Sequence, residues 1–239
     1  MDVLSSLDGW IAPFLSGVGQ TILVTALGAA LALAVAFGLG LLAGMRPRTP
    51  RFADRVVIEF FRGTSLLVQL YWLFFVLPLL GYKLDPLAVG VLALGLNFGA
   101  YGAEVVRGAI SAVPTAQWEG AIALNFTPFA RMRRIILPQA IVAMIPPFNN
   151  LLIQLLKSTP LVFTVTIVDV FAVVQNYRNS PEGHTGFAFG VALVVYFVLA
   201  YLLTLLMNLL EARAASRLGR GAPRRQLFSL RTPVESEVR

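Results

Sequence analysis

Long apolar runs, broken only by short polar loops, constrain this chain more than any other feature. Val18 to Gly44 holds no Asp, Glu, Lys or Arg. It exceeds the roughly 20 residues that a helix needs to cross a hydrocarbon layer. Similar runs cover Val57–Leu80, Leu87–Ile110, Gln139–Leu156 and Phe187–Leu210. In lipid every backbone N–H and C=O must be paired internally, so each run is expected to be a helix. Apolar residues make up 57% of the chain and charged residues 13%. A soluble domain carries about 25% charged residues. The expectation is an all-α membrane protein with five transmembrane helices.

Charge gives the orientation. Arg46, Arg48, Arg51 and Arg55 crowd the first loop. Arg107, Arg131, Arg133 and Arg134 flank the loop between the third and fourth runs. The tail adds Arg213, Arg217, Arg220, Arg224, Arg225, Arg231 and Arg239. The opposite side offers only Lys83 and Arg178, while Arg62 and Lys157 sit near span ends. Basic loops stay on the cytoplasmic side, so the N-terminus is expected outside and the C-terminus inside. Residues 1–16 read as an extracytoplasmic lead-in, short and amphipathic or extended. Residues 17–211 read as the membrane domain and 212–239 as a basic cytoplasmic tail. The net charge of +7 then suits anionic lipid, and no nucleic-acid partner is expected.

The most informative loop is 114–138. Pro114 suits a helix start, and Glu119 lies near the positive end of that helix's dipole. Asn125 suits a left-handed stop. Thr127 reads as the N-cap of a second helix, with Pro128 at its first position. Two short helices joined by a tight turn would form a knob on the membrane surface. Glu119, Gly120, Ala121, Asn125, Ile135, Leu137 and Pro138 resemble the EAA motif of ABC importer permeases. Gly120 stands where that motif has Ala, and Asn125 where it has Gly. The resemblance implies that the knob is a coupling helix seated in a groove of a separate ATPase. Glu119, Gly120, Ala121, Ile122, Leu124 and Asn125 would make that contact, with Ala121, Ile122 and Leu124 entering the groove.

Further stretches narrow the resemblance to type I importers of the polar amino-acid family. Phe61-Arg62-Gly63-Thr64-Ser65-Leu66-Leu67-Val68-Gln69 is similar to that family's FRGTPLLVQ segment, with Ser65 in place of Pro. The asparagines Asn149 and Asn150, running into Leu155-Leu156-Lys157-Ser158-Thr159, are similar too. Ala123 to Pro128 and Ile145-Pro146-Pro147-Phe148 resemble the ectoine/hydroxyectoine branch. The resemblance implies a multi-pass protein of the bacterial cytoplasmic (inner) membrane. It implies a second permease subunit, the same chain or a homologue, an ATPase dimer and an extracytoplasmic solute-binding protein. ATP and Mg would bind the ATPase, with no cofactor on this chain. The chain is not expected to be an enzyme. A phosphate-binding loop of the Walker type needs Lys after Gly, but Lys83 follows Tyr82 and Lys157 follows Leu156.

Polar groups inside spans are costly and mark sites. Asn150, Gln154, Lys157 and Ser158 recur at helical spacing, on one face of the fourth run. They offer amides, a hydroxyl and a cation to a zwitterionic solute bearing a carboxylate. Thr64, Ser65, Gln69 and Asn97 are candidates to face them. Pro146-Pro147 is expected to interrupt that helix, as in transporters with broken helices. The plainer reading is that such groups hydrogen-bond neighbouring helices, and that Lys157 only reaches toward the interface. Glu104 and Arg107 read as an intrahelical ion pair. Cysteine is absent and His184 is alone in a loop, so no metal site is expected. Residues 160–186 read as an outer excursion carrying a short interfacial helix. A gradient-driven transporter or channel without an ATPase is the alternative; it would have no need of the knob.

Overall fold

The computed structural model describes residues 3–45, 51–181 and 183–217. The start of the lead-in, Arg46 to Pro50 of the first basic loop and the tail from Leu218 onward lie outside the described residues. Within them all regular structure is helical. Four helical runs are long and apolar enough to cross a membrane: Trp10–Leu41, Pro86–Ser111, Pro128–Val165 and Thr185–Ala214.

Helix α1 (Val3–Met45) includes most of the expected lead-in as its first turns, with Pro13 inside it. The lead-in is therefore not a separate element. Helix α4 (Pro86–Ser111) starts at Asp85, whose carboxylate accepts from the Leu87 N–H at 3.0 Å, with Pro86 at the first helical position. Helices α1 and α4 form the main interface of the fold. Small residues allow it, since helices in lipid associate chiefly by close packing. A Cβ on Gly99 would lie 2.7 Å from Val35 Cβ, and one on Gly40 2.6 Å from Val106 Cβ. Gly40 thus marks a close crossing of α1 and α4.

The second apolar run is not one straight helix. Helix α2 (Arg51–Gly63) and helix α3 (Leu66–Tyr71) meet at a sharp corner. The segments Asp54–Gly63 and Leu66–Leu80 are bent by 101°. Thr64 closes α2: its N–H and its hydroxyl both donate to the Phe60 carbonyl, at 3.1 and 2.8 Å. Ser65 is extended and turns the chain away. A wide turn (Trp72–Val76) and a tight turn (Leu77–Leu80) continue α3 until Gly81, at φ 90°, ends it.

After the loop helices α5 (Thr115–Ala123) and α6 (Pro128–Arg131), helix α7 covers Leu137–Ser158. Pro146 and Pro147 do not interrupt it. Both are exposed, while Met144, Phe148, Leu152 and Leu155 form the buried stripe on the other side. Packing of that stripe holds the helix despite the two missing N–H donors of Pro146 and Pro147. A tight turn (Thr159–Val165) and helix α8 (Val170–Arg178) follow. The expected interfacial excursion is instead folded inward: Val170 and Val174 are fully buried, and α8 packs on α1 and on α9 (Thr185–Arg217). Helix α9 exposes Leu193, Phe197 and Leu209, the outward face that a lipid-bathed helix presents.

Candidate functional site

The polar residues singled out in the sequence fall into two groups of opposite character. One group gathers at the α2–α3 corner. Asn97 of α4 donates its amide N–H to the Phe61 carbonyl at 2.8 Å. Gln69 of α3 donates to the same carbonyl at 3.0 Å and to the Thr64 hydroxyl at 2.7 Å. The Tyr101 hydroxyl donates to the Arg62 carbonyl at 3.1 Å. These bonds serve the last carbonyls of α2, which have no partner within their own helix. Asn97 and Gln69 are buried. Their amide donors are used within the corner, on the Phe61 carbonyl and the Thr64 hydroxyl. Gln69 keeps one buried carbonyl oxygen unpaired. Ser65 is exposed and makes no capping bond.

The other group lies on α7. Asn150, Gln154 and Lys157 are exposed on one face, and Ser158 is half-buried beside them. The Ser158 hydroxyl donates to the Gln154 carbonyl at 2.9 Å, one turn back on the same helix. Among the described residues, the side chains of Asn150, Gln154 and Lys157 bond no other helix. No hydrogen bond joins the α7 group to the corner group among the described residues. Glu104 and Arg107 do pair with each other within α4, at 3.0 Å through the guanidinium Nε.

The loop of residues 114–138 forms the knob, with Pro114 in extended backbone just before α5. Asn125 sits at φ 56°, where Asn is tolerated far better than most residues. The Thr127 hydroxyl caps α6 by accepting from the Ala130 N–H at 3.3 Å, with Pro128 next to it. Arg131 lies over the Trp118 ring, 5.6 Å from its centre, and braces one short helix against the other. Glu119 and Gly120 are exposed, and nothing lies within 4 Å of a Cβ added at Gly120.

Ala121 differs from its expected role. It is 2% exposed, because α5 turns this face toward the turn that leads into α7. Ile122 and Leu124 are 58% and 73% exposed, and Phe129 joins them at 61%. Phe129 carries no motif and only its apolar character beside the αL turn could have flagged it.

A third polar cluster went unread in the sequence. Asp169 is fully buried at the N-cap of α8, accepting from the Ala172 N–H at 2.9 Å and from the Tyr196 hydroxyl at 3.1 Å. Burial pushes its carboxyl up from the ordinary aspartate value, against the pull of those two donors. The signal was there: a lone acid in an apolar run, three residues before a free helix N–H.

A bundle of helices long and apolar enough to cross a membrane defines the class of multi-pass membrane proteins. Residues 36–216 match the family described as binding-protein-dependent transport system inner membrane component, and the chain belongs to it. It is 46% identical over 183 residues to a probable amino-acid ABC transporter permease protein, y4tF, of Sinorhizobium fredii, covering 74% of this chain and 76% of that one. It is 33% identical over 202 residues to the L-cystine transport system permease protein TcyB of Bacillus subtilis, covering 84% and 86%. A solved amino acid ABC transporter superposes with a TM-score of 0.79 at 30% identity, over 89% of this chain and 99% of that one. The chain is thus a multi-pass inner-membrane permease.

Proposed function

We propose that this chain is the permease subunit of an ATP-driven importer for a polar amino acid or an amino-acid-like solute. The observation that carries the proposal is the knob. The motif spacing from Glu119 to Pro138 falls on a helix, a left-handed turn at Asn125 and a capped second helix. Exposed Ile122, Leu124 and Phe129 would seat in a groove of the ATPase, with Glu119 at its rim. Hydrolysis of ATP with Mg belongs to that partner. A second permease subunit completes the path, and a solute-binding protein delivers the cargo on the N-terminal side of the membrane.

The exposed face of α7 supplies the solute contacts. Lys157 offers a cation to a carboxylate, and Asn150 and Gln154 offer both donors and acceptors. Ectoine, a cyclic zwitterion with a carboxylate, fits that chemistry as a polar amino acid does. The resemblance of residues 123–128 and 145–148 to the ectoine branch supports it as the finer reading.

The test is uptake of labelled ectoine, L-glutamine and L-cystine by cells that express the chain with its ATPase and binding protein. ATP-dependent uptake of at least one is expected. Uptake that persists without the ATPase subunit would favour a gradient-driven carrier.

A further inference from the structure

Asp169, Tyr196, Thr159 and Thr21 form a buried polar knot that joins four parts of the chain. Asp169, Thr159 and Thr21 are each fully buried. The Thr21 hydroxyl of α1 donates to the Gly17 carbonyl at 3.0 Å and accepts from the Val170 N–H at 3.2 Å. The first turn of α8 is therefore tied to α1 by Thr21 and to α9 by the bond from Tyr196 to Asp169. The Thr159 hydroxyl donates to the Leu156 carbonyl at 2.8 Å and lies 3.4 Å from the Tyr196 oxygen. Gly17 suits this close approach: a Cβ on it would lie 3.0 Å from the Asp169 carbonyl oxygen.

Such a knot is costly to bury unless each member is paired. Its place in the chain suggests what it secures. Thr159 follows directly on Lys157 and Ser158, the end of the polar face of α7. We infer that Asp169 and Tyr196 are positioning residues, which act through Thr159 to fix where Lys157 and Ser158 stand. The inference rests on the proposed role of the α7 face in solute contact.

The path of the effect is short. The Tyr196 hydroxyl sits between the Asp169 carboxylate and the Thr159 hydroxyl. Its loss removes a donor from the carboxylate and a neighbour from Thr159 in one change. The tight turn after Ser158 would then lose its contact with the Tyr196 hydroxyl of α9.

The test uses the full chain in its assembled complex. The chain has no cysteine, so a nitroxide at Ser158→Cys reports local order at the end of α7. A second at Asn150→Cys, further along the same face, is the control. Tyr196→Phe is expected to speed motion severalfold at position 158 and leave position 150 as it was. Thr159→Ser keeps the hydroxyl and leaves both signals unchanged, whereas Thr159→Val repeats the Tyr196→Phe effect.

Transport is read in parallel with the solute found to be carried. Tyr196→Phe should raise its half-saturation constant about tenfold while the maximal rate is kept. Unchanged motion at position 158, or equal loosening at both positions, would overturn the inference. Lys157→Met separates it from the reading on which it rests. Unchanged uptake in that variant removes the solute role of the face, while the nitroxide pair still decides whether the knot positions it.

Discussion

The α2–α3 corner and the face of α7 carry similar side chains and use them in opposite ways. At the corner, Asn97 and Gln69 are buried, both donate to the Phe61 carbonyl, and Gln69 also donates to the Thr64 hydroxyl. On α7, Asn150, Gln154 and Lys157 are exposed and bond no neighbouring helix among the described residues. Residue type alone therefore does not mark a solute path. A polar group inside a span is available to a ligand only when the fold has not already used it.

The largest expected effect breaks the corner. Asn97→Asp would place a carboxylate oxygen against the Phe61 carbonyl in a buried site. An acceptor facing an acceptor there should cost several kcal/mol. Loss of folded protein in detergent is expected, read by thermal unfolding, whatever the solute. If Asn97→Asp were stable and impaired only solute affinity, Asn97 would belong with the α7 group.

Lys157→Met sharpens the other half. Lys157 is exposed, so its removal should leave stability within about 0.5 kcal/mol. Uptake should fall through a higher half-saturation constant. A melting temperature that fell as far as that of Asn97→Asp would erase the contrast.

Asp169 gives a pH test on a group buried like those at the corner. Its native carboxyl holds a proton more tightly than in the unfolded chain, because burial disfavours the anion. The native state therefore binds more protons between the ordinary aspartate value, about 3.9, and the raised one. Stability from this group is full below the unfolded value and is lost as pH rises through the folded one. Tyr196 is the titratable side chain that bonds Asp169 among the described residues. Melting measured upward from pH 4 should fall for the native chain and be flatter for Asp169→Asn.

The smallest effect is on the knob. Gly120→Ala meets no atom within 4 Å. It should stabilise α5 by about 1 kcal/mol, read by thermal unfolding. Lower stability would mean that α5 needs the glycine for a close approach.

Legibility in the sequence followed the range of the forces involved. Asn125, Thr127 and Pro128 act on their own backbone, and each sits where its local chemistry put it. The corner at Gly63 to Ser65 was not legible, because Thr64 ends α2 with bonds that a plain apolar count cannot see. Pro146 and Pro147 misled in the other direction: their local cost is real, but the buried stripe through Met144 and Phe148 outweighs it. Ala121 looked like a groove contact because the motif says nothing about which face of α5 the rest of the chain covers. Asp169 needed Tyr196 and Thr21, which come from distant parts of the sequence.

Force transfer from an ATPase through the knob is best probed at Leu124. Ala121 cannot serve, since a charge there would disrupt the knob itself. Leu124 is 73% exposed, so Leu124→Glu leaves the fold intact yet puts a carboxylate into the proposed groove. The measurement is co-purification of the ATPase subunits with the membrane-inserted variant, together with solute-stimulated ATP hydrolysis. Normal insertion is expected, with the ATPase lost or its hydrolysis uncoupled from solute. Full retention of the ATPase with normal stimulation would contradict force transfer through the knob.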